Sequence, residues 1–283
     1  MKIDLHLHTT ASDGQYSPQE MVQKVIEAGI DVFSFTDHES MEGYREVVRE
    51  AKVKGLHFIA GVELLVHYKG EEIHLLGYGM ELSGTPFLEA LEKLKEERNA
   101  VAKATVEKLQ QLGFALSWSD VKALGHRRGT ISKGHIVHAL HRCGLLPCTG
   151  MEFIKRYLEP KGLAYVQYKA STYDEAVELI RSAGGVPVIA HPGLITEQSL
   201  LPELIARHPV GIEVFYAYYG TKRQKWIQQY YELAQSKNLL MTGGSDYHGS
   251  FGPVRIGEEE VPEWVFFKLN EAIAKAHHQK AIY

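Results

Sequence analysis

The chain has 283 residues, 45% of them hydrophobic, and a formal charge of -4 at pH 7. That length supports one large α/β domain or two smaller ones, the charge argues against a broad footprint for duplex nucleic acid, and no apolar run of about 18 residues is available to cross a membrane. Cys143 and Cys148 are too few for a disulfide framework; with no secretory signal at the start of the sequence, the expected setting is the cytoplasm.

The first predicted strand, Ile3 to His8, alternates so that His6 and His8 aim two imidazoles at one point while Leu5 and Leu7 face away. It runs on to Asp13. Ser17-Pro18-Gln19-Glu20 forms a capping box with proline at the first helical position, and Gly29 stops that helix. A buried strand, Val32 to Thr36, delivers Asp37-His38. Ser40 is placed to cap the next helix, and the strand Phe58 to Val62 delivers Glu63. Lys69-Gly70 reads as a hairpin turn whose second run carries His74. Pro86 to Leu112 has the pattern of a long charged helix behind Thr85, and short helical segments follow with no strand before about residue 163.

The strand-helix rhythm resumes with the capping box Thr172-Tyr173-Asp174-Glu175. The strand Val186 to Ala190 ends in His191-Pro192-Gly193, the strand Gly211 to Phe215 follows, and Leu239 to Thr242 ends in Gly243-Gly244-Ser245-Asp246-Tyr247-His248. A last helix covers Pro262 to His277. Seven strands with intervening helices predict an α/β barrel one strand short of the usual eight. Residues 1–82 and 166–283 make up that barrel, and 83–165 a helical insertion.

The groups His6, His8, Asp13, Asp37, His38, Glu63, His74, His191, Asp246 and His248 all fall at predicted strand ends. The carboxyl ends of parallel strands meet at one rim of a closed barrel, so these groups converge. Taken singly, Asp-His reads as a capping turn and His-Pro as loop punctuation; the shared address favours a site. His57, His67, His126, His138, His141, His208, His277 and His278 fall elsewhere and read as surface or packing residues, with His135 less easily set aside. Imidazoles and carboxylates without thiolate suit manganese, iron or zinc better than calcium or copper(I).

His6-Leu7-His8, Thr36-Asp37-His38, Glu63, His74, His191-Pro192-Gly193 and Gly244-Ser245-Asp246-Tyr247-His248 together resemble the PHP (polymerase and histidinol phosphatase) family, which lies near the amidohydrolases. The resemblance implies a distorted (β/α)7 TIM-like barrel holding two or three divalent metal ions (Mn, Fe or Zn). Carried over by motif, His6, His8, Glu63 and Asp246 hold the first ion. Glu63 bridges to a second, with His74 and His191, and Asp13, His38 and His248 hold a third. Asp37 stands behind these ligands, orienting an imidazole or a water; it joins His38 and His248 as a candidate catalytic residue.

A narrower resemblance is to the branch containing 3',5'-nucleotide bisphosphate phosphatases and 5'-to-3' exonucleases acting on short RNA. It implies hydrolysis of a phosphate monoester through a metal-bridging hydroxide, on a small phosphorylated nucleotide or a short 5'-phosphorylated oligonucleotide. Arg127 to His135 sets cations and hydroxyls at a helix start, which makes Arg128, Ser132, Lys133 and His135, with Lys169 at the return to the barrel, the candidate substrate-binding residues. A solvated basic loop is the plainer reading of that run. Phe215, Tyr216, Tyr218 and Tyr219 read as packing at the barrel mouth, or as a stacking surface for a base. The alternatives are a histidinol-phosphate phosphatase, an amidase, and a non-catalytic metal-binding PHP module.

Overall fold

A computed structural model of the chain describes residues 1–82, 85–126, 129–169, 171–250 and 252–280. The first part comprises β1 (Ile3–Leu7), α1 (Pro18–Glu27), β2 (Val32–Phe35), α2 (Glu42–Val53), β3 (His57–Tyr68) and β4 (Glu71–Tyr78). A helical stretch follows: α3 (Thr85–Gln111), α4 (Trp118–Lys122), α5 (Lys133–Arg142) and α6 (Gly150–Phe153), the last running into a π-helical turn over Ile154–Leu158. The chain finishes with β5 (Ser171–Thr172), α7 (Tyr173–Ser182), β6 (Val186–Ile189), α8 (Leu200–Arg207), β7 (Gly211–Tyr216), α9 (Arg223–Lys237), β8 (Met241–Gly244) and α10 (Glu263–Lys280).

Seven strands form a sheet in the order β1-β2-β3-β4-β6-β7-β8, with the short β5 attached beside β3. Its two edges meet just beyond β8, where Asp246 N donates to His6 O at 2.8 Å and His8 N to Tyr247 O at 3.1 Å, so the sheet curls into a nearly closed barrel. Asp4 staples this seam. Fully buried on β1, its carboxylate accepts from Ser245 N (2.8 Å), Ser245 Oγ (2.6 Å) and Gly257 N (2.8 Å). The approach requires glycine at 244, because a Cβ there would lie 2.4 Å from His6 N.

The strands are parallel except β4, which runs antiparallel to both β3 and β6. This corrects the expectation that every functional group sits at a carboxyl end. The turn at Lys69-Gly70 reverses the chain, so His74 reaches the rim from the first half of its strand. Glu63 does not end a strand either: β3 continues to Tyr68, pairing Glu63 with Leu76 and Leu65 with His74. The helix after β2 begins at Glu42 rather than at Ser40, whose Oγ accepts from Glu42 N at 3.3 Å.

Capping boxes close the starts of α1, through Ser17 and Glu20, and α7, through Thr172 and Glu175. The barrel core includes Leu5, Val62, Leu64, Leu75, Val188, Ile212 and Val214. A second core lies among α3 to α6, with Val106, Leu109, Val121, Ile136, Leu140 and Phe153. Packing divides α3 between the two: Phe87 and Leu91 join the barrel core, and Ala102, Val106 and Leu109 the other. Between them Arg98 of α3 donates to both oxygens of the buried Glu39, at 2.9 and 2.8 Å. No helix among the described residues is long and apolar enough to cross a membrane.

Candidate metal centre

Glu63 is the hub of the rim. Its Oε2 lies 3.4 Å from His6 Nε2, 3.2 Å from His8 Nε2 and 3.3 Å from His38 Nδ1. Its Oε1 lies 2.8 Å from His74 Nδ1 and 3.2 Å from His191 Nε2. One carboxylate thus faces two groups of imidazoles, one with each oxygen. Asp246 Oδ1 joins the first group, 3.2 Å from His6 Nε2 and 3.0 Å from His8 Nε2. On the far side Asp13 Oδ1 is 3.2 Å from His248 Nε2, and Asp13 Oδ2 is 3.9 Å from His38 Nε2.

Donor atoms within 4.8 Å of one another fall into three sets: His6, His8, Glu63 and Asp246; His8, Asp13, His38 and His248; and His38, Glu63 and His74. His8 and His38 each belong to two sets, a sharing that the motif reading did not include. His191 stands just outside the third and meets it through Glu63 Oε1.

His6 Nε2, His8 Nε2, His38 Nδ1, Asp13 Oδ1 and Asp246 Oδ1 are buried without a hydrogen-bond partner. Leaving one buried polar atom unsatisfied costs about 1–3 kcal/mol, so five of them turned toward one volume need an explanation. Nitrogen and oxygen donors without thiolate fit divalent cations. The titration of His8 agrees in direction: although burial opposes a charge on it, the carboxylates of Asp246 and Glu63 beside its Nε2 raise it to about 10. The cluster calls for positive charge.

The remaining ring nitrogens set the orientation of the imidazoles. His6 Nδ1 donates to Glu213 Oε1 at 2.9 Å, and Glu213 Oε2 accepts from His191 N at 2.8 Å. His8 Nδ1 lies 3.3 Å from Ser12 Oγ, which donates to Asp37 Oδ1 at 2.7 Å. His248 Nδ1 donates to Asp246 O at 2.9 Å. In all three rings the Nε2 lone pair is left for the cluster. Asp37 also accepts from Thr9 N (2.7 Å) and Thr9 Oγ1 (2.8 Å), so it braces the loop after β1 and reaches an imidazole only through Ser12.

Sequence reasoning missed Glu213 and the role of Tyr216, whose hydroxyl donates to Asp246 Oδ2 at 2.8 Å. A signal was present for the first: a carboxylate in the middle of the apolar run Gly-Ile-Glu-Val-Phe-Tyr. Three residues at the rim, Glu39, His191 and Asp246, have φ of 46, 25 and 55°. Such left-handed backbone costs about 1–3 kcal/mol each and persists only where neighbours enforce it. Here Glu63 O, Glu213 and His6 O hold the three amides.

The expected substrate-binding residues have the following surroundings. Ser132 caps α5, accepting from Gly134 N at 3.0 Å, while its hydroxyl donates to Asp13 Oδ2 at 2.6 Å. Lys133 Nζ pairs with Glu72 of β4 at 2.9 Å, so its charge is already matched. His135 is buried, its Nδ1 accepts from Ser132 N at 3.1 Å, and burial lowers it to about 4, which leaves a neutral ring. Lys169 is exposed and has no ion pair among the described residues, and Arg128 lies outside them. Tyr216 and Tyr218 are buried packing residues, Tyr218 Oη accepting from Gly193 N at 2.9 Å, whereas Tyr219 is exposed.

A family model described as PHP domain matches residues 4–277. A 5'-3' exoribonuclease of Haemophilus influenzae is 30% identical over 278 residues, covering 94% of this chain and 99% of the relative. A phosphoribosyl 1,2-cyclic phosphate 1,2-diphosphodiesterase of Eggerthella lenta is 29% identical over 260 residues, covering 89% and 95%. Among solved structures, a Bifidobacterium adolescentis protein described as a metal-dependent phosphoesterase superposes with a TM-score of 0.85 at 26% identity, covering 95% of this chain and 96% of that one.

Proposed function

The chain belongs to the PHP domain family and to its metal-dependent phosphoesterases, and we propose that its substrate is a phosphate monoester, on a nucleotide such as a 3',5'-bisphosphate or on a short 5'-phosphorylated oligonucleotide. The observation that carries the reading is the set of buried, unsatisfied nitrogen and oxygen donors around Glu63. In this reading His6, His8, Glu63 and Asp246 hold one ion, Glu63, His74 and His191 a second, and Asp13, His38 and His248 a third. Divalent ions so held lower the pKa of water towards about 7 and neutralise phosphoryl oxygens.

The rest is the work of the chain itself. Glu63 offers one oxygen to each of two imidazole groups and so fixes their spacing. Glu213, Ser12 and the carbonyl of Asp246 hold the rings of His6, His8 and His248 with their Nε2 lone pairs inward. Tyr216 holds Asp246. The side chains of His74 and His248 are 29% and 28% exposed, against 0% for His6 and His8. The cluster is therefore open to solvent at His74 and His248, and in this reading the phosphate approaches from that side.

The Eggerthella relative, named for a cyclic diester, supports a second reading in which the bond hydrolysed is a phosphodiester. One assay separates the two. Manganese-loaded protein is presented with pAp, AMP, a 5'-phosphorylated oligonucleotide, histidinol phosphate and a ribosyl 1,2-cyclic phosphate. Release of phosphate from pAp or the oligonucleotide is expected. Turnover of the cyclic phosphate alone transfers the assignment to the diester, and turnover of histidinol phosphate alone to that monoester; metal-loaded protein inert on all five refutes a phosphoesterase.

A further inference from the structure

The loop that carries Asp13 is held from two sides. From the barrel, Asp37 accepts from Thr9 N, Thr9 Oγ1 and Ser12 Oγ. From the helical stretch, His126 N donates to Thr10 O at 2.9 Å, Thr130 N to Ala11 O at 3.0 Å, and Ser132 Oγ to Asp13 Oδ2 at 2.6 Å. Glycine at 129 permits this close approach, since a Cβ there would lie 2.8 Å from Ala11 O and 2.9 Å from Thr10 O. The Ser132 contact is made on the ligand itself. One carboxylate oxygen of Asp13 is tied to the start of α5, and the other, buried and unsatisfied, is presented to His248 at 3.2 Å.

We infer that the helical stretch between β4 and β5 sets the occupancy of the third ion, and that Ser132 is the positioning residue through which it does so. The inference rests on reading the cluster as a three-ion centre. The ligands of the other two ions take no hydrogen bond or ion pair from α3 to α6 among the described residues, so the dependence is selective. Without the Ser132 hydroxyl, Asp13 Oδ2 loses its donor and the carboxylate is free to rotate away from His248 and His38. The ions beside His6 and His74 keep their supports.

The test uses the full chain stripped with chelator and titrated with manganese(II) alone, with bound equivalents and the last dissociation constant as the readout. Ser132→Gly removes the hydroxyl and keeps a residue suited to a helix N-cap; Ser132→Thr keeps both hydroxyl and cap. Wild type is expected to bind three equivalents. Ser132→Gly is expected to bind the first two as wild type does and the last roughly 10- to 100-fold more weakly, the usual effect of losing a partner of a ligand. Ser132→Thr is expected to restore it. An unchanged last step in Ser132→Gly overturns the inference, and so does a uniform weakening of all three accompanied by a lower melting temperature, which is how a purely structural role would read out. Wild type that saturates at two equivalents overturns the three-ion premise instead, whatever the variants do.

Discussion

Replacing Glu213 with glutamine changes one atom type in a fully buried side chain and poses a problem with no good solution. Two donors converge on this carboxylate, His6 Nδ1 at 2.9 Å and His191 N at 2.8 Å, one on each oxygen. Glutamine has one carbonyl oxygen and one amide nitrogen. If the oxygen stays with His6, the amide faces the His191 N–H, donor against donor, and the left-handed backbone at His191 loses what holds it. If the oxygen stays with His191, the amide forces His6 to accept at Nδ1 and carry its proton at Nε2, where the cluster needs the lone pair. Either arrangement weakens one ion. Loss of such a partner typically lowers metal affinity by roughly 10- to 100-fold, equal to about 1.4–2.7 kcal/mol. Calorimetric manganese titration of stripped Glu213→Gln should show one binding step weakened by that factor, with circular dichroism unchanged. Wild-type affinity at every step would refute the claim that Glu213 controls the tautomer of His6 or the backbone of His191.

Tyr216→Phe removes the hydroxyl from Asp246 Oδ2 and leaves the ring packing, so metal affinity should fall by less than in Glu213→Gln; a larger fall would mean the hydroxyl itself is a ligand. Arg98→Met leaves the buried Glu39 carboxylate without its cation, for a loss of about 3–5 kcal/mol in urea unfolding; a loss below about 1 kcal/mol would show that the pair does not fasten α3 to the barrel. In the stripped protein His8 is raised from 6.5 to about 10. Its proton therefore contributes stability that is complete below 6.5 and disappears as pH rises through about 10. Melting temperatures of the stripped chain should fall across that window, and those of the manganese-loaded chain, whose ion has displaced the proton, should not. Parallel curves would dissociate the His8 shift from the metal site.

The positions of the barrel strands and most of the rim were legible because both follow from local rules. Alternation in Ile-Asp-Leu-His-Leu-His, the box at Ser17 to Glu20 and the turn at Lys69-Gly70 each encode their own geometry. What the hairpin does to the sheet was not legible. A reversed β4 is a consequence of which strand the chain meets next, and it brings His74 to the rim by the opposite route from the other rim groups. Nor was the partner of the basic charge at the start of α5 legible: charge in sequence says nothing of whether a partner stands opposite, and Glu72 of β4 stands opposite Lys133. Glu213 was visible as an anomaly, but its partners His6 and His191 are far off in the sequence, and only the barrel brings them within 3 Å.

Four carboxylates outside the proposed ligand set are buried behind it: Asp4, Asp37, Glu39 and Glu213. Each accepts from the backbone amide of a segment that carries or flanks a proposed ligand, Asp4 from Ser245, Asp37 from Thr9, Glu39 from Leu65 and Glu213 from His191. Burying an anion is costly unless charge nearby compensates it. Glu39 has Arg98. Asp4 and Asp37 have no ion-pair partner among the described residues, and burial raises both from the ordinary aspartate value. In the proposed reading the compensation comes from the cluster itself, which would gain two positive charges with each divalent ion held there. In the proposed reading the loops and the ions depend on each other: buried anions hold the amides of Ser245, Thr9, Leu65 and His191, the last in left-handed backbone, and ions held at the rim would make that buried charge tolerable.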